Sequence, residues 1–406
     1  MSNSPYQLVL PTSVEPLLSV YGASYKTGWI ENSRPTFKLS HQGKSIRKKT
    51  VRLNGLCQLV IYVSSEENPA WRAVELTDKV YLDTNAGVNG MIYTATTKMR
   101  KAIVESIVDY NKFVSAKNEA KYFQIDHATS TDSMLELMTF SNDARVDDQI
   151  KYNACSGLLI PIDANTTEKP FSVDLDICLN GSEEDIPYSK TGDIEIELIL
   201  ASVANSGLIY KGVADTDNVQ LGYIWKNLEI RYLADEEKPS QGAIVLETKS
   251  SSHIPTIQNM VAAIEFAPSH AFDSIVCCLK KSGNADNFDN SYLKNVSVTE
   301  MIDFMEIKVN GQDDVVQFPL RFQTIELLYN YLLAWNPYIH EFDDTRVHRH
   351  GLSYSKLSNN QCGYGLGTSF FGGHEAGTHV SFTLTLKETP ATPYQAFMFS
   401  LGRLVL

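Results

Sequence analysis

The chain has 406 residues, 43% of them hydrophobic, with 20 Tyr, 17 Phe and 4 Trp. That length exceeds one ordinary core, so two domains are expected, and so many aromatics suit the pleated surface of β-sheets. The net charge of −13 argues against a nucleic-acid-binding surface, which needs clustered Lys and Arg, and keeps free copies of a packing subunit soluble.

Residues 1–20 read as an N-terminal arm, because Pro5, Pro11 and Pro16 prevent a continuous helix. Residues 1–10 have neither the basic start nor the apolar core of a signal peptide, and no stretch reaches the length of a transmembrane helix. Synthesis in a cytosol is therefore expected. Strands are predicted at Thr36–Leu39, Cys57–Val63 and Val74–Tyr81, with turn chemistry at Asn85–Gly90. The basic run Lys44, Arg47, Lys48, Lys49 and Arg52 reads as a solvated strand edge. Between Lys98 and Lys117 the period changes. Ile103, Val104, Ile107, Val108 and Val114 fall on one stripe and predict an amphipathic helix covering the first barrel. A second short helix is expected at Met134–Thr139.

Strands resume at Cys155–Pro161, Phe171–Leu179, Ile194–Leu200 and Gln220–Tyr232. The charged stretch Ala234–Gly242 contains Pro239 and is the best domain boundary. It divides the chain into an arm (1–20), a first domain (21–236) and a second (237–406). Strands in the second are predicted at Ala243–Thr248, Ile257–Phe266, Ser274–Leu279, Met301–Val309 and Val380–Leu386. Gln323–Trp335 reads as a helix stopped by Asn336-Pro337. The Gly-rich stretch Gly351–Gly377 reads as a long loop with room for one strand inside it, and loops of that length are usually functional, often as contact surfaces. One pattern occurs in both halves: a strand run leads to an Asn-Gly turn, at Asn180-Gly181 and Asn310-Gly311, and both turns are expected in hairpins.

Chemistry is sparse. His348 and His350, with Arg349 between them and Asp343 and Asp344 nearby, form the best metal or acid–base candidate, since His-x-His puts two rings on one face of a strand. His374 and His379 are a second pair. The stretch around His348 is crowded with polar residues and reads more simply as an exposed loop. The carboxylate groups Asp147-Asp148, Glu183-Glu184-Asp185 and Asp313-Asp314 lack the alternating spacing of a calcium loop and read as solvated turns. Gly363–Gly367 has no following Lys-Ser or Lys-Thr, as a phosphate loop would. Tyr223, Trp225 and Tyr232 could line a sugar-binding face, but on an interior strand they read as core. Cys57, Cys155, Cys178, Cys277, Cys278 and Cys362 show no zinc spacing and read as free buried thiols, the adjacent pair pointing to opposite faces of a strand. Asn165 and Asn295 head glycosylation sequons, which matter only in a secreted protein. No residue is assigned a catalytic, cofactor-binding or metal role.

The run Gly192–Ala201, followed by Val219–Tyr232, resembles the end of the first jelly roll in double jelly-roll major capsid proteins. Ser156–Pro161 and Asn180-Gly181 fit the strands before it, and Met301–Gln312 resembles a strand and turn of the second jelly roll. Leu333–Tyr338, Leu352–Tyr354 and Gly377–Leu386 are similar to that family's C-terminal region. The likeness runs from about residue 10 to 400 and is nearest to virophages and polinton-like small double-stranded DNA viruses, with tectiviruses and adenoviruses more distant.

This resemblance implies a mainly β fold of two consecutive eight-stranded antiparallel jelly-roll sandwiches with short inserted helices. It implies a non-enzymatic homotrimer, a pseudo-hexagonal capsomer in an icosahedral virion shell. Its partners would be neighbouring capsomers, penton and minor capsid proteins, and an internal membrane, with no sequence-specific nucleic-acid binding and no cofactor. The arm lacks the long helix of some members, which puts direct membrane contact in doubt. Two other readings stay open: a carbohydrate-binding or host-attachment β-sandwich protein, and a jelly-roll enzyme using a metal at His348 and His350.

Overall fold

The computed structural model describes residues 5–121, 168–281, 302–319 and 366–406, apart from short breaks, together with Leu293 and parts of 330–338. The first half contains β1 (Tyr6–Val9), β2 (Thr36–Leu39), β3 (Lys44–Ile46), β4 (Arg52–Val63), β5 (Arg72–Ala73), β6 (Val80–Leu82), β7 (Ile92–Met99) and β8 (Ala102–Val108). Helix α1 (Tyr110–Lys121), β9 (Glu168–Asp174), β10 (Ile186–Pro187), helix α2 (Tyr188–Thr191), β11 (Ile194–Leu200), β12 (Leu208–Tyr210) and β13 (Val219–Glu236) follow. The second half contains β14 (Val245–Ile257), β15 (Val261–Phe266), β16 (Phe272–Lys281), β17 (Ile302–Val309), β18 (Gln312–Pro319), β19 (Leu366–His374), β20 (Val380–Leu386) and β21 (Tyr394–Val405).

Eight strands of each half form two sheets. In the first half the sheets run β1-β13-β4-β9 and β2-β11-β7-β8, and in the second β14-β21-β16-β19 and β15-β20-β17-β18. Ranked one to eight along the chain, these strands read 1-8-3-6 and 2-7-4-5 in both halves. The strand order is therefore the internal repeat of the molecule, and it is that of two consecutive jelly rolls. The short strands β3, β5 and β10 extend the first sheet, and β6 pairs with β12. A parallel contact at Ser106–Ser250 joins β8 to β14, so one eight-stranded sheet passes through both halves.

The core follows period-two alternation. In β11, Ile194, Ile196, Leu198 and Leu200 are buried while Glu195 and Glu197 are half-buried. In β20, Val380, Phe382, Leu384 and Leu386 are buried in the same manner. Strands β16 and β21 are buried on both faces, so adjacent Cys277 and Cys278 both lie inside. The second cover comes from two insertions between the fifth and sixth strands of each half: α1, and the helical residues near 330–335. The Phe113 ring of α1 lies 5.3 Å from Phe399 and 5.5 Å from Trp335. Helix α1 therefore reaches over a strand of the second half, where a cover for the first barrel alone was expected.

Other expectations need correction. Residues 98–108 are not the start of a helix but the end of β7 and all of β8, joined by a two-residue turn at Arg100 (φ 49°) and Lys101 (φ 68°). Asn310 (φ 51°) makes the equivalent turn in the second half, with Val309 opposite Gln312. Asn180-Gly181 lies in a turn outside the strands and closes no two-residue hairpin; its side chain accepts the Val51 N–H at 3.0 Å and donates to the Val51 and Leu175 carbonyls. Of Val74–Tyr81, just the ends border strands, β5 and β6. Asp313 and Asp314 stand in β18 instead of a turn. Strands β1, β3, β5, β7, β8, β10, β12, β18 and β21 had no sequence prediction, and β19 lies within the stretch Gly351–Gly377 read as a loop. Within residues 1–20, β1 pairs antiparallel with Ile230–Leu233 of β13. Leu18 and Tyr21 pack against Val60 and Ile224 on the outer face of that sheet, with the Tyr21 ring 4.8 Å from Trp71. Met134–Thr139, Cys155–Pro161 and most of Gln323–Trp335 lie outside the described residues.

Candidate assembly surface and the seam between the halves

The N-terminal strand supplies the clearest surface feature. Tyr6 and Leu8 share the outward face of β1 because side chains alternate along a strand, and Leu10 just after it is exposed as well. Val14 and Leu17 are 90% and 83% exposed. Among the described residues, six of the twelve exposed large apolar side chains fall within residues 6–20. Such a concentration marks an interaction surface. The outer face of β7 and β11 is its opposite: Lys98 bonds Glu195 at 2.7 Å and Glu197 at 3.0 Å, and neighbouring Lys38 pairs with Asp193 at 2.9 Å.

At the seam lies a buried ionic group that the sequence reading missed. Glu105 of β8 is fully buried and accepts the Cys178 N–H at 2.7 Å and the Lys249 N–H at 3.0 Å. The Lys249 ammonium, from β14, donates to Asp176 at 2.7 Å and lies 5.8 Å from the Phe113 ring centre. Lys117 of α1 donates to the other Asp176 oxygen at 2.7 Å. Tyr110 accepts the Asp176 N–H at 2.7 Å. Burial works against the Asp176 carboxylate, but Lys117 and Lys249 outweigh it and hold its pKa well below the usual range. Burial also opposes charge on Lys249, and Asp176 and Glu105 more than restore it. For Glu105 burial wins, and its pKa is pushed up to about 7. The available signal was a charged residue sharing a strand face with Ile107, visible once 102–108 is read as a strand.

The other sequence candidates separate. His348, Arg349, His350, Asp343, Asp344, Asp147, Asp148, Cys155, Cys362, Asn165, Asn295 and Gly363 lie outside the described residues. The His374 ring packs 4.8 Å from Phe370 and 5.4 Å from Phe272, whereas His379 faces Glu265 at 3.6 Å. Among the described residues, no group of three or more His, Cys, Asp or Glu is placed to hold a metal ion. Cys57, Cys178, Cys277 and Cys278 are free and buried. The basic run is not an edge: β3 is flanked by β10 and β13. Its charges pair within the chain, Lys44 with Glu236, Arg47 with Asp235 and Lys49 with Glu183. Tyr223, Trp225 and Tyr232 are buried, which removes the aromatic face suggested for sugars. No described helix is long and apolar enough to cross a membrane.

Strand order, joined sheets and paired insertions define a double jelly-roll fold. No protein-family profile and no curated protein matches the sequence. Solved structures do. The chain is similar to one from the cryo-EM structure of the Sputnik virophage, with 9% identity and a TM-score of 0.57 over 98% of this chain and 86% of that one. It is similar to the Faustovirus major capsid protein (11% identity, TM-score 0.55, 99% and 90% covered). The mavirus major capsid protein is a third (12% identity, TM-score 0.53, 98% and 86% covered). At these identities the shared property is the fold.

Proposed function

We propose that the protein is a major capsid protein, a structural subunit without catalytic activity that trimerises into pseudo-hexagonal capsomers and tiles an icosahedral virion shell. The observation that carries this reading is the match of both jelly rolls, over 98–99% of the chain, to the mavirus and Faustovirus major capsid proteins. The internal repeat supports a three-chain state: three copies of a two-jelly-roll subunit would present six similar units to a hexagonal lattice. We divide the chain after Glu236 and count β1 with the first jelly roll. Penton and minor capsid proteins, and an internal membrane, are its expected partners after synthesis in a host cytoplasm.

The test is the solution mass by light scattering, with the same sample imaged by electron microscopy. Three chains per particle and hexagonal arrays or shells are expected. A monomer or dimer that never assembles would overturn the reading and turn attention to glycan binding.

Within this reading, residues 6–20 meet a neighbouring copy. Fully burying a Leu or Val side chain is worth roughly 1.5–3 kcal/mol. The triple substitution Leu8→Ser, Leu10→Ser, Val14→Ser touches exposed positions. It should leave the thermal midpoint nearly unchanged and lower array or shell yield at least tenfold; a wild-type yield would exclude this surface.

A further inference from the structure

Glu105 is placed as a link between the two jelly rolls. Its oxygens take one backbone N–H from the first half, Cys178, and one from the second, Lys249. Around it the ladder is thin: β8 and β14 register at Ser106–Ser250, beside a Val108 N–H donating to Ser251 Oγ at 2.6 Å. The groups acting on it are Lys249 from β14, Asp176 and the Cys178 thiol after β9, and Tyr110 from α1, with Glu247 beside Lys249 and Lys117 beside Asp176. Lys249 is already bonded to Asp176, and Lys117 to the same carboxylate. The ionised Glu105 thus has two amide donors, the Cys178 thiol and a cation bonded to Asp176. Three such donors do not offset the loss of water around a fully buried charge.

We propose that Glu105 is a proton-operated joint: the seam between the two jelly rolls closes with a proton on this carboxyl and loosens as the pH rises. The neutral acid still accepts through its carbonyl oxygen and avoids the cost of holding a charge away from water. Burial is the largest influence on this group, raising its pKa from 4.5 to about 7, with Lys249 and the two N–H donors opposing it and Asp176 adding to it. A seam that opens exposes the carboxyl to water and returns its ordinary acidity. Opening therefore releases a proton and becomes up to about tenfold more favourable per pH unit between those two values, then levels off.

The experiment is hydrogen exchange at the Cys178 and Lys249 amides from pH 5 to 8, corrected for intrinsic rates, in the wild-type protein and in Glu105→Gln. Seam opening should rise roughly 40-fold from pH 5 to 7 in the wild type and stay flat in the variant. Equal slopes in both, or none in the wild type, would overturn the proposal. An infrared titration of the wild type decides the matter independently of the variant's folding. The band of a protonated carboxylic acid should persist at pH 6 and vanish by pH 8, and its absence at pH 6 would exclude the joint.

Discussion

Trp225 sets the packing of the first core. Its ring lies 5.0 Å from Phe171 and its Nε1–H donates to Met91 Sδ at 3.1 Å. Trp225→Ala should lower stability by about 3–5 kcal/mol, since a buried indole leaves a cavity that a β-sandwich cannot close. The denaturation midpoint should fall with an unchanged slope against denaturant. The core role of Trp225 was legible because an aromatic amid Leu221, Tyr223 and Ile230 has few other places to go. Asn310-Gly311 was legible for a different reason: Asn tolerates the left-handed conformation that a two-residue hairpin requires. Glu105 was not, because a carboxylate is seldom fully buried and its partners Cys178 and Lys249 lie far away in sequence.

Among elements, β11 and β20 were readable to the residue. Their alternation is strict, and each has one face on the core and the other partly exposed. The β7–β8 hairpin failed on its turn. Arg100 and Lys101 both adopt positive φ, which turn rules assign to Gly, Asn or Asp. Without a visible turn, the apolar residues of a strand and the first turns of a helix merged into one apparent stripe. Strand β21 also hid, since burial on both faces erases alternation, whereas β16 was read at Ser274–Leu279 and β14 in its first residues alone. Helix α1 depends on this double burial. Phe113→Ala removes the ring shared by Phe399 and Trp335. It should cost about 3–5 kcal/mol and speed amide exchange in β21 more than in β11. Equal acceleration in both strands would show that α1 does not act on the second half selectively.

For the whole molecule, two carboxyls of the seam pull stability in opposite directions. Asp176 is more acidic folded than unfolded, so its contribution is present above its ordinary value of 3.8 and is lost as pH falls through the lower folded value. Glu105 is less acidic when folded, so its contribution is present below 4.5 and is lost as pH rises through about 7. The thermal midpoint should therefore be highest at about pH 4 and decline towards pH 7, levelling off above it; a midpoint that climbs steadily to pH 8 would contradict the seam's charge arrangement. The two-sandwich plan was visible in the sequence through strand spacing and family likeness. The order 1-8-3-6 was not, because sheet partners such as β4 and β13 are far apart in the chain and no local pattern records who pairs with whom.

That order has a consequence for how the chain is made. Strand β21 lies between β14 and β16, yet it follows them in sequence after the whole of residues 282–393. While the ribosome adds those roughly 110 residues, at about 5–20 per second, β14 and β16 have no central neighbour. Their inner edges stay open for several seconds on every nascent chain, the condition under which unfinished chains stick to one another. Chaperone cover during that interval, more than the final stability, would then set the yield of folded subunits.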